Sequence, residues 1–220
     1  MREHYISSEM MYQIDKYTIE EIGIPSAVLM ERAAYATFSD LKTKVDKDSY
    51  LLVIAGTGNN GGDAVALARM LFIDGYNVQC YIPKTTDYSD GMVEQVQIAK
   101  NIDLPITYTF EASDFEQADW IIEGIFGIGL SREIEGIFKI IVDWINQCQH
   151  INVISLDIPS GLSAVTGKSF QTVVHADYTY TFGFLKKGMD TKKGQLLCGN
   201  IHLCDLGYPV HKLEAFNSFF

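Results

Sequence analysis

The sequence has few of the features that mark membrane-spanning or nucleic-acid-binding proteins. Only 17 lysines and arginines stand against 28 aspartates and glutamates, which gives a net charge of −11. This charge opposes binding to nucleic acid and to anionic membranes, because both are recognised through an excess of basic side chains. The apolar run at residues 121–130 is interrupted by Glu123 and glycines, and no run approaches the roughly 20 residues of a transmembrane helix. The chain is predicted to bind neither partner.

Cysteine is also scarce, and its spacing excludes two kinds of site. The four cysteines have no C-x-x-C spacing, so neither a zinc site nor a redox motif is expected. Cys148 lies in a helical pattern and Cys204 in a strand pattern, which predicts reduced side chains in the core. The first ten residues lack the apolar segment of a secretion signal. Together these observations predict a cytoplasmic protein.

The low proline content and the absence of a low-complexity linker favour one folded unit. Five prolines, 18 glycines and a hydrophobic fraction of 47% are typical of a globular chain without a low-complexity linker. A length of 220 residues fits one large domain. We therefore expect a single domain over residues 1–220, with N-terminal helices at 8–43 and an α/β core at 50–206.

Two helices are predicted before the core. The first has apolar residues at helical spacing, with Ser8 as its N-cap and Gly23 at its end. The second follows a turn at residues 24–26 and has a face of small residues. These apolar and small faces either contact a second subunit or belong to the core of the chain itself. The faces contain Met10, Met11, Ala33 and Ala34.

From residue 50 onwards, short apolar runs alternate with helical patterns. Continuously apolar runs are typical of strands buried on both faces of a parallel sheet. Their order predicts an α/β fold, a Rossmann-like, doubly wound, mostly parallel sheet with helices on both faces in a three-layer sandwich. The predicted strands are 50–55, 77–82, 106–108, 120–123, 151–156, 178–182 and 200–204, and the helices between them are 63–74, 91–101 and 134–147.

A glycine-rich segment follows the first core strand, where such folds bind ligands. Residues 56–63 read Gly-Thr-Gly-Asn-Asn-Gly-Gly-Asp and lead directly into a helix, which makes a cradle for phosphate. The segment matches the Gly-x-Gly-x-x-Gly fingerprint of dinucleotide-binding folds. However, the next strand is not followed by the acidic residue that holds the ribose of NAD, since the first acid after it is Asp87. The fit to a hydride-transfer enzyme is incomplete.

Polar residues also follow the strands predicted at 120–123 and 151–156. Glu123 ends the first of these and precedes a glycine-rich loop with Arg132, which suits phosphate or simply begins a solvated helix. Asp157 and Ser160 follow the second and are expected to face the same crevice as Asn60. Alternatively, Asp157 caps a turn.

The carboxylates gathered at this crevice need a compensating group. Asp63, Glu123 and Asp157 repel one another unless a cation is bound or one carboxyl is protonated. Oxygen ligands from Asn60, Glu123 and Ser160 favour an alkali or alkaline-earth ion, either potassium or magnesium. Without a metal, a buried carboxyl has a raised pKa and acts as a general acid or base, and Asp157 is the candidate.

Five segments of the chain carry a resemblance to a known family, and they are 14–34, 56–63, 126–130, 156–162 and 181–186. In this order they resemble the NAD(P)H-hydrate epimerase family over nearly the whole chain. The resemblance implies a Rossmann-like sandwich that forms a homodimer and interconverts the R and S epimers of hydrated NADH and NADPH (NADHX and NADPHX). These are damaged cofactors with a hydroxyl group at C6 of the nicotinamide ring, and a separate dehydratase uses one epimer.

The resemblance also implies roles for individual residues. Asp157 lies near the reacting ring as the catalytic residue, and no redox cofactor is needed. One potassium ion per subunit is held by Asn60, Glu123 and Ser160, although Glu123 stands where the family usually has aspartate. Residues that contact the hydrate are Asn59, Asn60, Gly61, Gly62, Asp63, Gly127, Ile128, Gly129, Leu130, Ser131, Arg132, Glu133 and Asp157.

Two other functions remain open at this point. A non-catalytic scaffold of the same fold would sense a dinucleotide or form dimers, and the presence of Asn60, Asp63, Asp157 and Ser160 argues against it. An NAD(P)-dependent oxidoreductase would bind ordinary NADH tightly and transfer hydride.

Overall fold

The computed structural model describes residues 5–85 and 87–216 and contains a seven-stranded parallel sheet. The strand order is β4-β3-β2-β5-β6-β7-β9, and β1 pairs with β8 in a separate parallel ribbon. The sheet therefore grows in both directions from the pair β2 and β5, which is the switch point of a doubly wound fold. The strands are β1 (Tyr5–Ile6), β2 (Tyr50–Ala55), β3 (Asn77–Tyr81), β4 (Ile106–Thr107), β5 (Trp120–Gly124), β6 (Asn152–Leu156), β7 (Tyr178–Phe182), β8 (Leu185–Lys186) and β9 (Asn200–Cys204).

Helices cover both faces of this sheet, so the predicted three-layer α/β fold is confirmed. Alternate residues of β2 point to opposite faces: Val53 packs in the core cluster under the first four helices, and Ile54 packs in the cluster under the fifth. The helices are α1 (Ser8–Glu20), α2 (Ser26–Leu41), α3 (Asn59–Ile73), α4 (Asp90–Asn101), α5 (Gly136–Ile145) and α6 (Lys192–Cys198).

The N-terminal helices contribute to the core through the faces for which the sequence predicts either core packing or a subunit contact. All four of their apolar and small residues are at most 4% exposed and belong to the core of the chain itself. The N-cap of α1 is Ser7, whose Oγ accepts a hydrogen bond from the Met10 amide at 3.2 Å, and the prediction of Ser8 was wrong. Serine is a favourable N-cap at either position, so the residue type alone does not distinguish Ser7 from Ser8.

Helix boundaries differ most from the predicted ones at the start of α3 and at both ends of α5. Helix α3 begins at Asn59 rather than at residue 63, so the glycine-rich segment supplies its first turn. Helix α5 spans Gly136–Ile145 rather than 134–147, and the side chain of Asn146, just beyond its end, bonds to the backbone of Val173 and His175. Cys148 consequently lies in a turn and is only partly buried, which corrects its placement in a helix.

Cysteine reactivity should reflect these different environments. All four thiols are free, and burial raises the pKa of Cys80 to about 12 and that of Cys204 to about 11. Because the thiolate is the reactive form, we expect iodoacetamide at mildly alkaline pH to label Cys148 first, with one fast equivalent detected by mass spectrometry. Cys148→Ser should remove the fast phase. Fast labelling of Cys80 in the folded protein would contradict this packing.

Among the residues that the structure describes, no helix has the length and apolarity needed to cross a lipid bilayer.

Candidate active site

The glycine-rich segment is held against the end of β5 by backbone contacts. A Cβ atom at Gly56 would lie 1.9 Å from the carbonyl oxygen of Ile125, and one at Gly61 would lie 2.2 Å from the oxygen of Gly56. Only glycine permits this approach. It places the first turn of α3, with its unpaired N–H groups and positive dipole end, beside the loop that follows β5, a geometry suited to a phosphate group.

A cleft of about 1010 Å³ opens at the carboxyl ends of β2, β5 and β6. Helices α1 and α2 form one wall and the loop at residues 125–132 forms another. The cleft brings together most of the predicted ligand-contact residues, which are Asn59, Asn60, Asp63, Gly127, Ile128, Gly129, Leu130, Ser131, Arg132 and Asp157.

Three predicted ligand-contact residues do not line this cleft. Gly61 and Gly62 belong to the first turn of α3 but pack against other protein atoms, since a Cβ atom at Gly62 would lie 2.6 Å from the Met30 methyl group. Glu133 accepts a hydrogen bond from the backbone amide of Gln171. The two glycines therefore shape the cleft, and Glu133 ties its loop to the segment after β6.

Glu123 lies beneath the cleft and is fully buried. Its Oε1 accepts hydrogen bonds from Ser155 Oγ at 2.6 Å and from the Ser160 amide at 3.0 Å. Its Oε2 accepts from Ser160 Oγ at 2.6 Å and from the Ile125 amide at 3.1 Å. Burial raises the pKa of Glu123 to about 7, against the opposing effect of these donors. The carboxylate thus links β5, β6 and the segment after β6.

Glu123→Gln should destabilise the protein although it preserves shape. Each carboxylate oxygen accepts a backbone N–H, so the amide NH₂ group must face a donor in either orientation. We expect a loss of about 1–3 kcal/mol in the free energy of unfolding, the cost of an unpaired buried polar group. Urea denaturation checks this, with Glu135→Gln as an exposed control. Unchanged stability would contradict the hydrogen-bond network.

Asn60 presents an oxygen that has no hydrogen-bond partner among the described residues. Its Nδ2 donates to the Leu156 carbonyl at 3.1 Å, which orients the amide, and its buried Oδ1 accepts no hydrogen bond from the described residues. Ser160 Oγ accepts from the Phe126 amide at 2.8 Å and retains a free lone pair. The described residues contain no group of three or more His, Cys, Asp or Glu suited to a metal. A cation here would therefore bind to amide and hydroxyl oxygens, as the sequence indicates for a hard ion.

Asp157 stands on the cleft wall in a left-handed conformation, with φ of 66°. Its Oδ1 forms an ion pair with the Lys186 ammonium, and its Oδ2 accepts from the Ile128 amide at 3.3 Å. Lys186 is only 1% exposed, and β1 pairs with its strand. A strained backbone and a buried counterion fix this carboxylate in the cleft.

Sequence reasoning gave no role to three further cleft residues, Asp15, Lys186 and Tyr208. The Tyr208 hydroxyl donates to Asp15 Oδ1, and burial raises the pKa of Asp15. The pKa of Asp63 is raised well above its ordinary value, chiefly by burial and then by the negative charges of Asp157 and Asp15. Asp15 lies in a predicted helix and Tyr208 follows the last strand, so their place in the cleft is recognised only from their neighbours in the folded structure.

A parallel sheet with a glycine-rich helix start at its switch point, beside a cleft lined by carboxyl groups, defines a nucleotide-binding α/β domain. The family described as "YjeF-related protein N-terminus" matches residues 26–188. A Leuconostoc mesenteroides protein named NAD(P)H-hydrate epimerase is 39% identical, over 93% of this chain and 91% of its own length. A Limosilactobacillus fermentum protein of the same name is 37% identical, over 93% and 98%. The chain belongs to this family.

The fold comparison agrees with this membership. The crystal structure of the yeast protein YNL200c superposes with a TM-score of 0.76 at 25% sequence identity, and the match covers 83% of this chain and 82% of the yeast chain.

Proposed function

We propose that this chain is an NAD(P)H-hydrate epimerase, an isomerase that interconverts the R and S forms of NADHX and NADPHX. The observation that carries the proposal is identity of 37–39% to curated epimerases across nearly the full length of both chains. The cleft supports it, because Asp63 and Asp157 project into one cavity beside the start of α3. Neither the scaffold nor the oxidoreductase has comparable support.

We expect the pyrophosphate and the hydrated nicotinamide ring to occupy different parts of the cleft. The pyrophosphate would lie at the first turn of α3, where free N–H groups stabilise negative charge, and Arg132 at the cleft rim would add a cation. The hydrated nicotinamide ring would then face Asp157. Epimerisation needs no change in redox state, only proton transfers during loss and return of the C6 substituent.

The direct test is the conversion of R-NADHX to S-NADHX, followed by chromatography with and without the purified protein. We expect conversion faster than the spontaneous rate. A folded protein that binds the hydrate without accelerating its conversion would favour the scaffold, and oxidation or reduction of the nicotinamide ring would favour the oxidoreductase.

We also propose one potassium ion per subunit, held by Asn60 Oδ1 and Ser160 Oγ, with Glu123 supplying negative charge. Support comes from the unpaired Asn60 oxygen and the buried carboxylate below it. Both Glu123 oxygens already accept two hydrogen bonds, so the glutamate contributes chiefly charge. When bound, the ion would offset this negative charge next to the substrate phosphates.

Potassium binding predicts a stability effect that does not depend on activity. Ligands that bind only the folded state raise the melting temperature. We expect KCl to raise it more than tetramethylammonium chloride at equal ionic strength, and Ser160→Ala to reduce the difference. Equal melting temperatures in the two salts would contradict the site.

The remaining proposals concern partners and location. A homodimer is supported by large apolar side chains exposed on α2, with Tyr35 at 62% and Val28 at 43%. Sedimentation equilibrium would measure the mass. We also propose a cytoplasmic location and a functional link to a separate NAD(P)HX dehydratase, which consumes one epimer.

A further inference from the structure

The carboxyl groups of the cleft differ in how their charge is balanced. Asp157 has a buried counterion in Lys186, and the same ammonium donates to Thr181 Oγ1 at 2.8 Å and to the Phe182 carbonyl at 2.9 Å. All three ammonium protons are therefore used within the protein, and none remains for a ligand. Lys186 thus acts on a substrate only through Asp157.

Asp63 has no such counterion in the part of the chain that the structure describes. Its carboxyl lines the same cleft, and within the described part of the chain no ion pair or hydrogen bond to it is found. Its charged neighbours are mainly the like-charged Asp157 and Asp15, with Lys186 a weaker, opposing influence. Burial beside like charges favours the neutral acid. One cleft therefore contains a carboxylate with a fixed counterion and a carboxyl group without one.

The sheet order places these two groups on opposite sides of one loop. Strand β5 lies between β2 and β6. Asp63 belongs to the helix that follows β2, and Asp157 follows the end of β6. A ring held over the end of β5 would have one carboxyl group on each side.

We propose that Asp63 is a second catalytic residue, acting from the side of the ring opposite Asp157, and that Lys186 is the positioning residue that holds Asp157 as a carboxylate. The inference rests on the proposed function and assigns its proton transfers. Asp63 donates its proton to the C6 hydroxyl of the hydrate. The C6–O bond breaks, water leaves with the bonding electron pair, and the lone pair of the ring nitrogen forms a double bond to C6.

The return step uses the other carboxyl group. Water adds to C6 from the side of Asp157, which takes one proton of that water while the electrons of the double bond return to the ring nitrogen. The product is the opposite epimer, and water is lost and regained without oxidation. The pair ends with Asp63 ionised and Asp157 protonated, and reaction of the other epimer or exchange with solvent resets it.

The experiment compares Asp63→Asn with Asp63→Glu, and uses Asp48→Asn, an exposed aspartate, as the control. We expect Asp63→Asn to reduce kcat by about 100-fold or more, as for loss of a general acid, with Asp63→Glu recovering part of it. The Kd for NADH, used as an unreactive probe and followed by its fluorescence, should change by no more than about threefold. A further readout is the infrared carbonyl stretch of protonated carboxylic acids at neutral pH, part of which should be absent in Asp63→Asn.

Lys186 is tested by the pH profile of kcat, which a merely structural role would not move. We expect the acidic limb in Lys186→Met to shift to higher pH, because a carboxylate without its counterion takes up a proton more readily. Lys186→Arg should restore the limb, and the exposed neighbour Lys187→Met should leave it unchanged. Among the described residues, the other titratable groups near the pair are Asp15, Asp63, Cys204 and Tyr208.

The outcomes separate this inference from the proposed function. An active wild-type enzyme whose Asp63→Asn variant keeps more than about a tenth of kcat would overturn the catalytic role of Asp63 and leave the epimerase standing. An unmoved acidic limb in Lys186→Met would overturn the role of Lys186. A wild-type protein that does not accelerate epimerisation would overturn both proposals.

Discussion

Replacing Asp157 by asparagine should reduce epimerisation by about 10²–10⁴-fold, the usual contribution of a positioned acid–base group. An amide neither takes nor returns a proton at neutral pH. The ring-facing position would be retained, because asparagine adopts the left-handed conformation observed at residue 157 more readily than most residues. Chromatographic assay of both epimers measures the loss.

The same substitution leaves a buried ammonium without its anion, so stability must be measured in parallel. Lys186 is 1% exposed, and removal of one partner from a buried ion pair costs about 3–5 kcal/mol. The double variant Asp157→Asn with Lys186→Met removes both charges and should regain most of this stability while remaining inactive. Activity that returned with stability would show that Asp157 has a structural role only.

Replacing Gly56 by alanine should prevent folding or cost more than about 3 kcal/mol, because the new methyl group would overlap backbone rather than a movable side chain. The methyl carbon would lie 1.9 Å from the Ile125 carbonyl oxygen and 2.7 Å from its carbonyl carbon. Relief requires the segment after β2 and the end of β5 to separate, which would open the floor of the cleft. Urea denaturation and circular dichroism measure the effect.

Gly58→Ala is the matched control from the same segment. A Cβ atom there meets nothing within 4 Å, and the residue has an ordinary φ of −91°. We expect near-normal stability, with a change of at most about 1 kcal/mol. If the two variants were equally unstable, the contact between Gly56 and Ile125 would not explain the requirement for glycine.

The sheet was predictable because its strands are buried on both faces. Residues 51–55 are all fully buried, so the apolar run carries the signal of a central parallel strand. The start of α3 was less predictable, since glycines and asparagines suggest a loop, whereas the helix begins there in close contact with the end of β5. Strands β1 and β8 have two residues each, too short for any periodicity.

The candidate site was predictable where its residues follow strands directly. Asn60, Asp63 and Asp157 were found in this way, and all three line the cleft. Asp15 and Tyr208 were not given roles, because one lies on an amphipathic helix and the other in the segment after β9. The counterion of Asp157 was not predictable from the sequence either, since Lys186 lies 29 residues further along the chain and only the fold brings the two together.

The short pairing of β1 with β8 links the start of the chain to the chemistry of the cleft. Ile6 stands in register with Lys186, so the backbone just before α1 supports the residue that balances Asp157. An affinity tag or truncation at the amino terminus is usually regarded as remote from an active site. In this protein it would act on the strand pairing that supports Lys186 and, through it, Asp157, the proposed catalytic residue, and the activities of recombinant versions that differ only in their first residues should be compared with that in mind.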